Sequence, residues 1–292
     1  LTEQGLSERV PAASSIGRIL KAHALTRPER RRRSRSPVKA PTLAAPAACN
    51  EVWCIDFKGE FEVSRTLCYP LTVTDGLSRY SLIVRGERGT AYEPTRAHLW
   101  RAFGTYGLPS RIRCDNGNPF VSVRAPAGLT RFGALLVKLG VTLERIEPGK
   151  PYQNGTHERF HKTLKQATAS PPARTWGAQQ KRFDRFRHHY NHERPHESLG
   201  MRPPSSVYQS SARSRPPAVP EIEHPSAQRI IPVYADGGVY FQGVSFHLSG
   251  AIAGETVGVT EIEEDIFRFS YGPIYLGHLS FRAKEPSICL AR

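Results

Sequence analysis

The segment Gly155-Thr156-His157-Glu158-Arg159-Phe160-His161-Lys162-Thr163-Leu164-Lys165 sets the organisation of everything around it. At helical spacing Glu158, Lys162 and Lys165 fall at i, i+4 and i+7 and share one face. Phe160, Leu164 and Ala167 keep the same spacing on the other side, which predicts a helix with an apolar back and a charged front. A carboxylate followed by two lysines on an exposed face suits a magnesium ion beside a phosphodiester. An ordinary amphipathic surface helix with solvated charges accounts for the same window. His157-Glu158-Arg159-Phe160-His161 also matches H-E-x-x-H, in which two histidines one turn apart hold zinc and the glutamate is the base. The longer zinc signature needs a glycine and a third histidine downstream, where Leu164 and Ala167 stand. Glu193 is left as a distant candidate for the third ligand.

Charge narrows the choice of partner. The 292 residues carry a net +15, unevenly spread: +7 over residues 1–48, +12 over 49–220 and −4 over 221–292. The first 220 residues are therefore built for a polyanion, with nucleic acid the leading candidate. The five cysteines, Cys49, Cys54, Cys68, Cys114 and Cys289, are scattered and contain no C-x-x-C pair, which argues against a disulfide framework or a cysteine zinc site and fits a reducing cytosol. No apolar run is long enough to cross a bilayer and no secretory signal pattern is present. The chain begins at Leu1 and its single methionine is Met201, so a fragment, a processed chain or an unusual start codon is expected.

Working outward, Val52 to Phe57 is a short run of strand formers interrupted by Asp56. Tyr69 to Gly76 and Arg79 to Val84 predict two more strands around a turn at Asp75-Gly76. Tyr92 to Tyr106 predicts a helix closed by Gly107 and Pro109. Arg111 to Asp115 is a strand ending in Asp115-Asn116-Gly117, Leu129 to Leu139 a helix, and Val141 to Ile146 a strand before the helix of Glu158. Trp176 to Asn191 is a further helix, rich in arginine and aromatic residues. Three strands followed by helix–strand–helix–strand–helix is an α/β layout with a mixed sheet. At the front, Ala13 to Leu25 predicts a helix capped by Ser14 or Ser15, resembling the last helix of a truncated helix-turn-helix. Arg30 to Arg35 then opens a basic, Pro-rich linker. Ser205 to Pro220 is a second Pro-rich linker, and from Ile230 short alternating segments predict a small all-β barrel.

Three acids stand where metal ligands are useful: Asp56 inside a strand, Asp115 at a strand end and Glu158 on a helix. Singly each has a plain structural reading. Asp115 in D-N-G is also a turn residue, whereas a carboxylate flanked by Trp53, Ile55 and Phe57 is costly without a partner. The blocks N-E-V-W-C-I-D-F-K-G (50–59), L-T-V-T-D-G-L-S-R-Y (71–80), G-L-P-S-R-I-R-C-D-N-G (107–117), P-Y-Q-N-G-T-H-E-R-F-H-K-T-L-K (151–165) and Y-N-H-E-R-P-H-E-S-L-G (190–200) carry a family resemblance. Together and in this order they resemble the integrase catalytic core of bacterial insertion-sequence transposases, related to retroviral integrases. The resemblance spans roughly residues 49–210.

It implies an RNase H-like mixed sheet flanked by helices at 49–210, a partial helix-turn-helix at 1–29 and a basic linker at 30–48. A linker at 211–227 and a small β-barrel at 228–292 would follow. It implies a D-D-E triad of Asp56, Asp115 and Glu158 holding two Mg²⁺ ions, with Mn²⁺ as substitute. Asp56 would bridge the ions, with Asp115 and Glu158 completing one site each. Water nicks the element's end, and the freed 3′-hydroxyl then attacks target DNA. Lys162 and Lys165 would hold DNA phosphates. Lys150, Tyr152, Gln153 and Asn154 form a candidate DNA-contacting loop, and Arg31, Arg32 and Arg33 a non-specific one. The expected partners are element ends and target DNA, with a homo-oligomer assembled on them, and the expected location is the bacterial cytoplasm at the nucleoid. The resemblance gives His188, His189, His192 and His196 packing or phosphate contact rather than zinc. A degenerate or repurposed DNA-binding protein is the competing class, and a zinc metalloprotease through H-E-x-x-H the remote one.

Overall fold

Ala13–Ala22 forms helix α1, which ends before the Leu25 expected for it. Its N-cap is Ala12, with no side-chain cap, so Ser14 and Ser15 lie within the helix rather than capping it. No α1 residue is buried, and residues 1–41 form a unit of their own. The computed structural model describes residues 11–23, 25, 43–122, 125–147, 151–282 and 286–291.

Residues 42–292 make up the second unit. Strand β1 (Val52–Phe57) pairs antiparallel with β3 (Thr66–Asp75), which pairs in turn with β2 (Phe61–Val63) and β4 (Ser81–Glu87). Helix α2 (Tyr92–Tyr106) leads to β5 (Arg111–Cys114), parallel to β1, and α3 (Arg131–Lys138) crosses to β6 (Thr142–Arg145), parallel to β5. The result is the mixed sheet flanked by helices that the sequence predicts, with β2 as an unforeseen addition. Alternation along the strands sorts the two faces. Trp53, Ile55, Leu71 and Val73 enter a core with Leu99, Phe103, Phe132 and Leu136 of α2 and α3. Cys54, Asp56, Thr72 and Thr74 take the opposite face.

That opposite face is covered by α4 (Gly155–Thr168) and α5 (Trp176–His192), which share a core of Phe160, Leu164, Phe183, Phe186 and Tyr190 with Val63, Cys68 and Val84. The buried side of α4 is His157, Phe160, His161, Leu164 and Thr168. Ala167, expected on that side, is exposed. Counting from Phe160, steps of four keep to the contact line at Leu164 and Thr168, while Ala167 lies three past Leu164 and falls off it.

Helix α5 also closes the free edge of β4. Asn191 Oδ1 accepts from the Ser81 amide at 2.8 Å and its Nδ2 donates to the Ser81 carbonyl at 3.0 Å. Gln180 accepts from the Gly86 amide and donates to the Val84 carbonyl, and Arg187 donates to the Leu82 carbonyl. Side chains thus take the hydrogen bonds another strand would take, which blunts the edge.

The Pro-rich stretch after α5 is pinned along the core. Ser211 N donates to the Tyr106 carbonyl and Leu108 N to the Arg213 carbonyl. The Arg213 guanidinium reaches the carbonyls of Pro109, Leu139 and Gly140. Gly107, at φ 76°, is required here: a Cβ would stand 2.7 Å from the Ser211 carbonyl oxygen. Beyond it lie β7 (Arg229–Pro232), β8 (Gly238–Phe241), β9 (Val244–His247), β10 (Thr256–Glu263), β11 (Ile266–Tyr271), β12 (Ile274–Ser280) and β13 (Ser287–Leu290). They form an antiparallel sheet in the order β13-β12-β11-β10-β7 and a separate β8–β9 hairpin. Their apolar side packs with Leu129 and Ala134, and Glu255 pairs with Lys138 of α3 at 2.8 Å.

Asn191 is buried, so replacing it by leucine removes both partners of Ser81 without admitting water. Asn191→Leu is expected to lower the unfolding free energy by about 2 kcal/mol or more. Urea midpoints at constant slope measure it, and an unchanged midpoint would remove the edge-capping role.

Candidate active site

Asp56 and Asp115 approach each other because β1 and β5 are parallel neighbours. The last pair of their ladder is Cys54 with Arg113, and each acid lies two residues beyond it, at the carboxyl ends of the strands. Arg113 is buried and held by Glu144 of β6, which fixes the height of β5. Past Cys114 the chain turns: Asp115 Oδ1 accepts from Gly117 N at 3.0 Å, and Asn116 Nδ2 donates to the Ile146 carbonyl at 2.7 Å. A Cβ at Gly117 would lie 3.1 Å from both Asp115 carboxylate oxygens, so the D-N-G glycine gives the carboxylate room. Phe57 stacks on Phe120 just behind.

The third acid arrives on α4, whose first turn is seated by polar contacts. Thr72 stands opposite Asp56 in the β1–β3 register and donates its hydroxyl proton to the Asp56 carbonyl at 3.0 Å. The same oxygen lies 2.8 Å from His157 Nε2 and 2.7 Å from His161 Nε2, while Thr74 Oγ1 lies 2.9 Å from His157 Nδ1. A hydroxyl has one proton and two lone pairs. With the proton on the Asp56 carbonyl, both Nε2 atoms are donors, and His157 Nδ1 accepts from Thr74. Glu158 follows His157 and is exposed, as are Lys162 and Lys165.

The electrostatics record which charges act on Asp56. Burial first, and then the charge of Asp115, push the Asp56 carboxyl up to about 7; Glu158 adds to the rise, while the Phe57 amide and Lys58 oppose it. Burial and Lys58 hold His161 down at about 4, and burial with His161 holds His157 well below its ordinary value. The approach of His161 Nδ1 to Asp56 Oδ2 at 3.7 Å is therefore that of a neutral imidazole, not an ion pair at neutral pH. Lys58 is lowered by burial and by the charge of Lys165, while Asp56 opposes the fall, so Lys58 feels both groups.

Among the described residues no three His, Cys, Asp or Glu side chains close up around a single metal position. The donor set nonetheless suits hard cations: oxygen ligands only, with one carboxyl raised by its neighbours, a penalty a divalent ion would relieve. Asp115 acts on Asp56 more strongly than Glu158 does.

The zinc reading of H-E-x-x-H is overturned. The Thr72 hydroxyl stands between the two Nε2 atoms where zinc would sit, and Glu193 is exposed and engaged with His188 and His189. Two loop residues are also corrected. Gln153 is buried, donating to Glu147 Oε1 at 2.7 Å and accepting from the Glu147 amide at 2.8 Å, and Asn154 is buried as well. The Gln153 side chain is thus turned onto Glu147, and Asn154 is the N-cap residue of α4 with no side-chain cap bond. Lys150, Arg31, Arg32 and Arg33 lie outside the described residues. Sequence reasoning passed over Lys58, Thr72 and Thr74 as parts of the site and read the histidine pair only as zinc ligands. The only signal was that all of them stand inside the motif blocks.

Integrase core domain families match residues 46–151 and 139–204. An uncharacterized 31.7 kDa protein of insertion element IS407 from Burkholderia multivorans is 29% identical over 191 residues, 65% of this chain and 66% of the relative. An uncharacterized 39.2 kDa protein of insertion element IS476 from Xanthomonas euvesicatoria is 31% identical over 178 residues, 60% of this chain and 49% of the relative. The chain thus spans just under two thirds of the first relative's length and half of the second's. Among solved structures, a simian T-cell lymphotropic virus intasome in complex with PP2A regulatory subunit B56 gamma aligns at TM-score 0.49 and 15% identity, covering 94% of this chain and 96% of that one. The HTLV-2 integrase catalytic core domain in complex with magnesium aligns at TM-score 0.44 and 14% identity, covering 56% of this chain and 99% of that one. Its relatives are insertion-element proteins, and with two integrase core matches that together run from residue 46 to 204, the chain belongs to the integrase core domain family.

Proposed function

We propose that the chain is a DDE-type transposase that cuts and joins DNA, with Asp56, Asp115 and Glu158 as its catalytic acids. What supports this is that Asp56 and Asp115 lie at the carboxyl ends of neighbouring parallel strands, with Glu158 on α4 among the charges that raise Asp56. These residues would hold Mg²⁺ or Mn²⁺, two ions in the full site, which when bound activate the attacking oxygen and stabilise the leaving one. In the first reaction water attacks a phosphodiester and a 3′-hydroxyl leaves. In the second that 3′-hydroxyl attacks a target phosphodiester and another 3′-oxygen leaves, so the count of phosphodiesters is conserved.

The chain's own cations define where DNA lies. Lys162 and Lys165 are exposed on the Glu158 side of α4, and Lys58 feels the charges of Lys165 and Asp56. They would grip backbone phosphates and carry no sequence information. In this reading the core is RNase H-like, α1 is the remnant of a helix-turn-helix and the C-terminal sheets are a small barrel. The protein works as a homo-oligomer on element ends and target DNA, at the nucleoid. No helix of the described residues is long and apolar enough to cross a membrane. The acids' failure to close around one position favours, as second reading, a DNA-binding protein without catalysis.

Strand transfer with labelled element ends in Mn²⁺ separates the two. Asp56→Asn, Asp115→Asn and Glu158→Gln are each expected to abolish product while DNA affinity stays within a few-fold. Near-wild-type turnover in any one removes that residue from the triad. Joint replacement of Lys58, Lys162 and Lys165 by alanine is expected to reduce the slope of log K against log salt by about 0.9 for each phosphate no longer neutralised. An unchanged slope would put DNA on another face.

The raised Asp56 also fixes a pH signature. A carboxyl that titrates at about 7 in the folded state, against an ordinary 3.8, contributes stability that is full below about pH 4 and lost as pH rises through 7. His161, held at about 4 against 6.5, slopes the other way over part of that range, so the comparison must be made between variants. In EDTA, Asp56→Asn is expected to gain stability relative to the parent as pH goes from about 4 to about 7. Urea midpoints across that range test it, and parallel curves would contradict it. Adding Mn²⁺ at high pH should stabilise the parent and not the variant.

A further inference from the structure

We propose that Thr72 is a positioning residue, whose buried hydroxyl fixes the rotation of α4 so that Glu158 is presented to Asp56. The proposal rests on the catalytic reading of these acids and adds to it a residue that touches neither metal nor DNA.

The geometry is a four-point clasp. Thr72 and Thr74 lie two apart on β3 and therefore on one face of the sheet, and His157 and His161 lie one turn apart on one face of α4. Thr72 Oγ1 meets both Nε2 atoms, at 2.8 and 2.7 Å, and Thr74 Oγ1 meets His157 Nδ1 at 2.9 Å. Two contact points on each element define a line, so the helix can neither roll nor slide without breaking at least one bond. The apolar contacts of α4 do not supply this restraint at its first turn. Phe160 and Leu164 belong to the core with α5, β2, Val84 of β4 and the far end of β3, and the one buried side chain of the first turn ahead of them is His157. Glu158 is the residue after His157, so a roll of one residue, about 100°, would turn it away from β1.

Thr72 also ties the clasp to the strand that bears the first acid. It sits opposite Asp56 and donates to its backbone carbonyl at 3.0 Å. One fully buried hydroxyl thereby joins the backbone of Asp56 to the two histidines that flank Glu158 in sequence. Its single proton and two lone pairs are all used. Serine can reproduce that pattern. Valine, of the same shape, leaves two N–H donors and one carbonyl facing a methyl group.

The experiment compares Thr72→Val with Thr72→Ser in the full chain, with Thr74→Val as a milder variant that removes one bond at the outer end. Thr72→Val is expected to lower the strand-transfer turnover number about a hundredfold, the scale of a misplacement near one ångström, with KM for DNA within a few-fold. Thr72→Ser should stay within a few-fold of the parent in both, and Thr74→Val should fall between them. The second readout is the rise in melting temperature on adding Mn²⁺, which should vanish in Thr72→Val and persist in Thr72→Ser. Equal losses in Ser and Val, or parental turnover and Mn²⁺ response in Val, would overturn the proposal. If Thr72→Val does not fold, a Thr74→Val variant with parental turnover and Mn²⁺ response overturns it, and a partial loss of both supports it. If the parent shows no strand transfer, the catalytic reading fails, and the Mn²⁺ response alone then decides whether Thr72 sets the acids.

Discussion

A carboxylate on a central strand constrains the rest of this structure. β1 is laddered on both sides, to β3 and β5, so Asp56 cannot swing to an edge and its side chain must occupy one face of the sheet. Alternation gives the other face to Trp53 and Ile55, which anchor the core under α2 and α3. The acid's own face therefore cannot be an ordinary apolar layer. It is furnished with Thr72, Thr74, His157 and His161. Asp115 is brought in by the parallel neighbour, and its charge makes that of Asp56 harder to bear. A buried carboxyl with a second acid beside it is poised for a cation.

The supporting shell keeps that arrangement in place with hydrogen bonds rather than extra strands. α5 closes the β4 edge with Gln180, Arg187 and Asn191, so the sheet ends in side chains. Asn50 binds the other side together. Its amide donates to Asp75 Oδ1, its Oδ1 accepts from Trp53 Nε1 and from the Tyr208 hydroxyl, and its Nδ2 donates to the Gln209 carbonyl. Asp75, buried at the turn between β3 and β4, accepts from the Ser78 amide and hydroxyl as well. The blocks N-E-V-W and T-D-G-L-S thus read as one hydrogen-bonded corner at the amino end of β1, opposite the end that carries Asp56. The acidic C-terminal sheets, packed on Leu129 and Ala134 and paired through Glu255 with Lys138, extend the core from the α3 side.

Elements with long local signals were legible. α2 starts and stops at Tyr92 and Tyr106 as expected, because Gly107 at positive φ and Pro109 both forbid its continuation. β1, β5 and β6 lie within a residue of their apolar runs. β2 and β13 were missed: β2 is three residues long and holds too little pattern, and each is an edge strand paired with a single neighbour. The acids of the site were legible as residues at strand and helix positions. Which strand neighbours which was not, and the approach of Asp56 to Asp115 depends on the β1–β5 pairing across more than fifty residues of chain. Gln153 and Asn154 misled for a related reason: polar residues in a loop look solvent-facing until Glu147 is seen to fold back on the first of them.

H-E-x-x-H shows where local pattern stops being informative. Two histidines at i and i+4 present two ring nitrogens to one point in space, whatever stands at that point. A third protein ligand and a polar shell around that point would make it a zinc site. Here it is filled by the oxygen of Thr72, within the ten-residue β3. The same spacing that would hold a metal instead holds a strand, and the glutamate between the histidines is turned out to solvent beside Lys162 and Lys165. In the proposed function, metal chemistry passes from the histidines to the carboxyls. The imidazoles, kept neutral by burial, serve as the donors that seat the helix. What separates the two outcomes is not in the pentapeptide at all but in the choice of threonine at position 72.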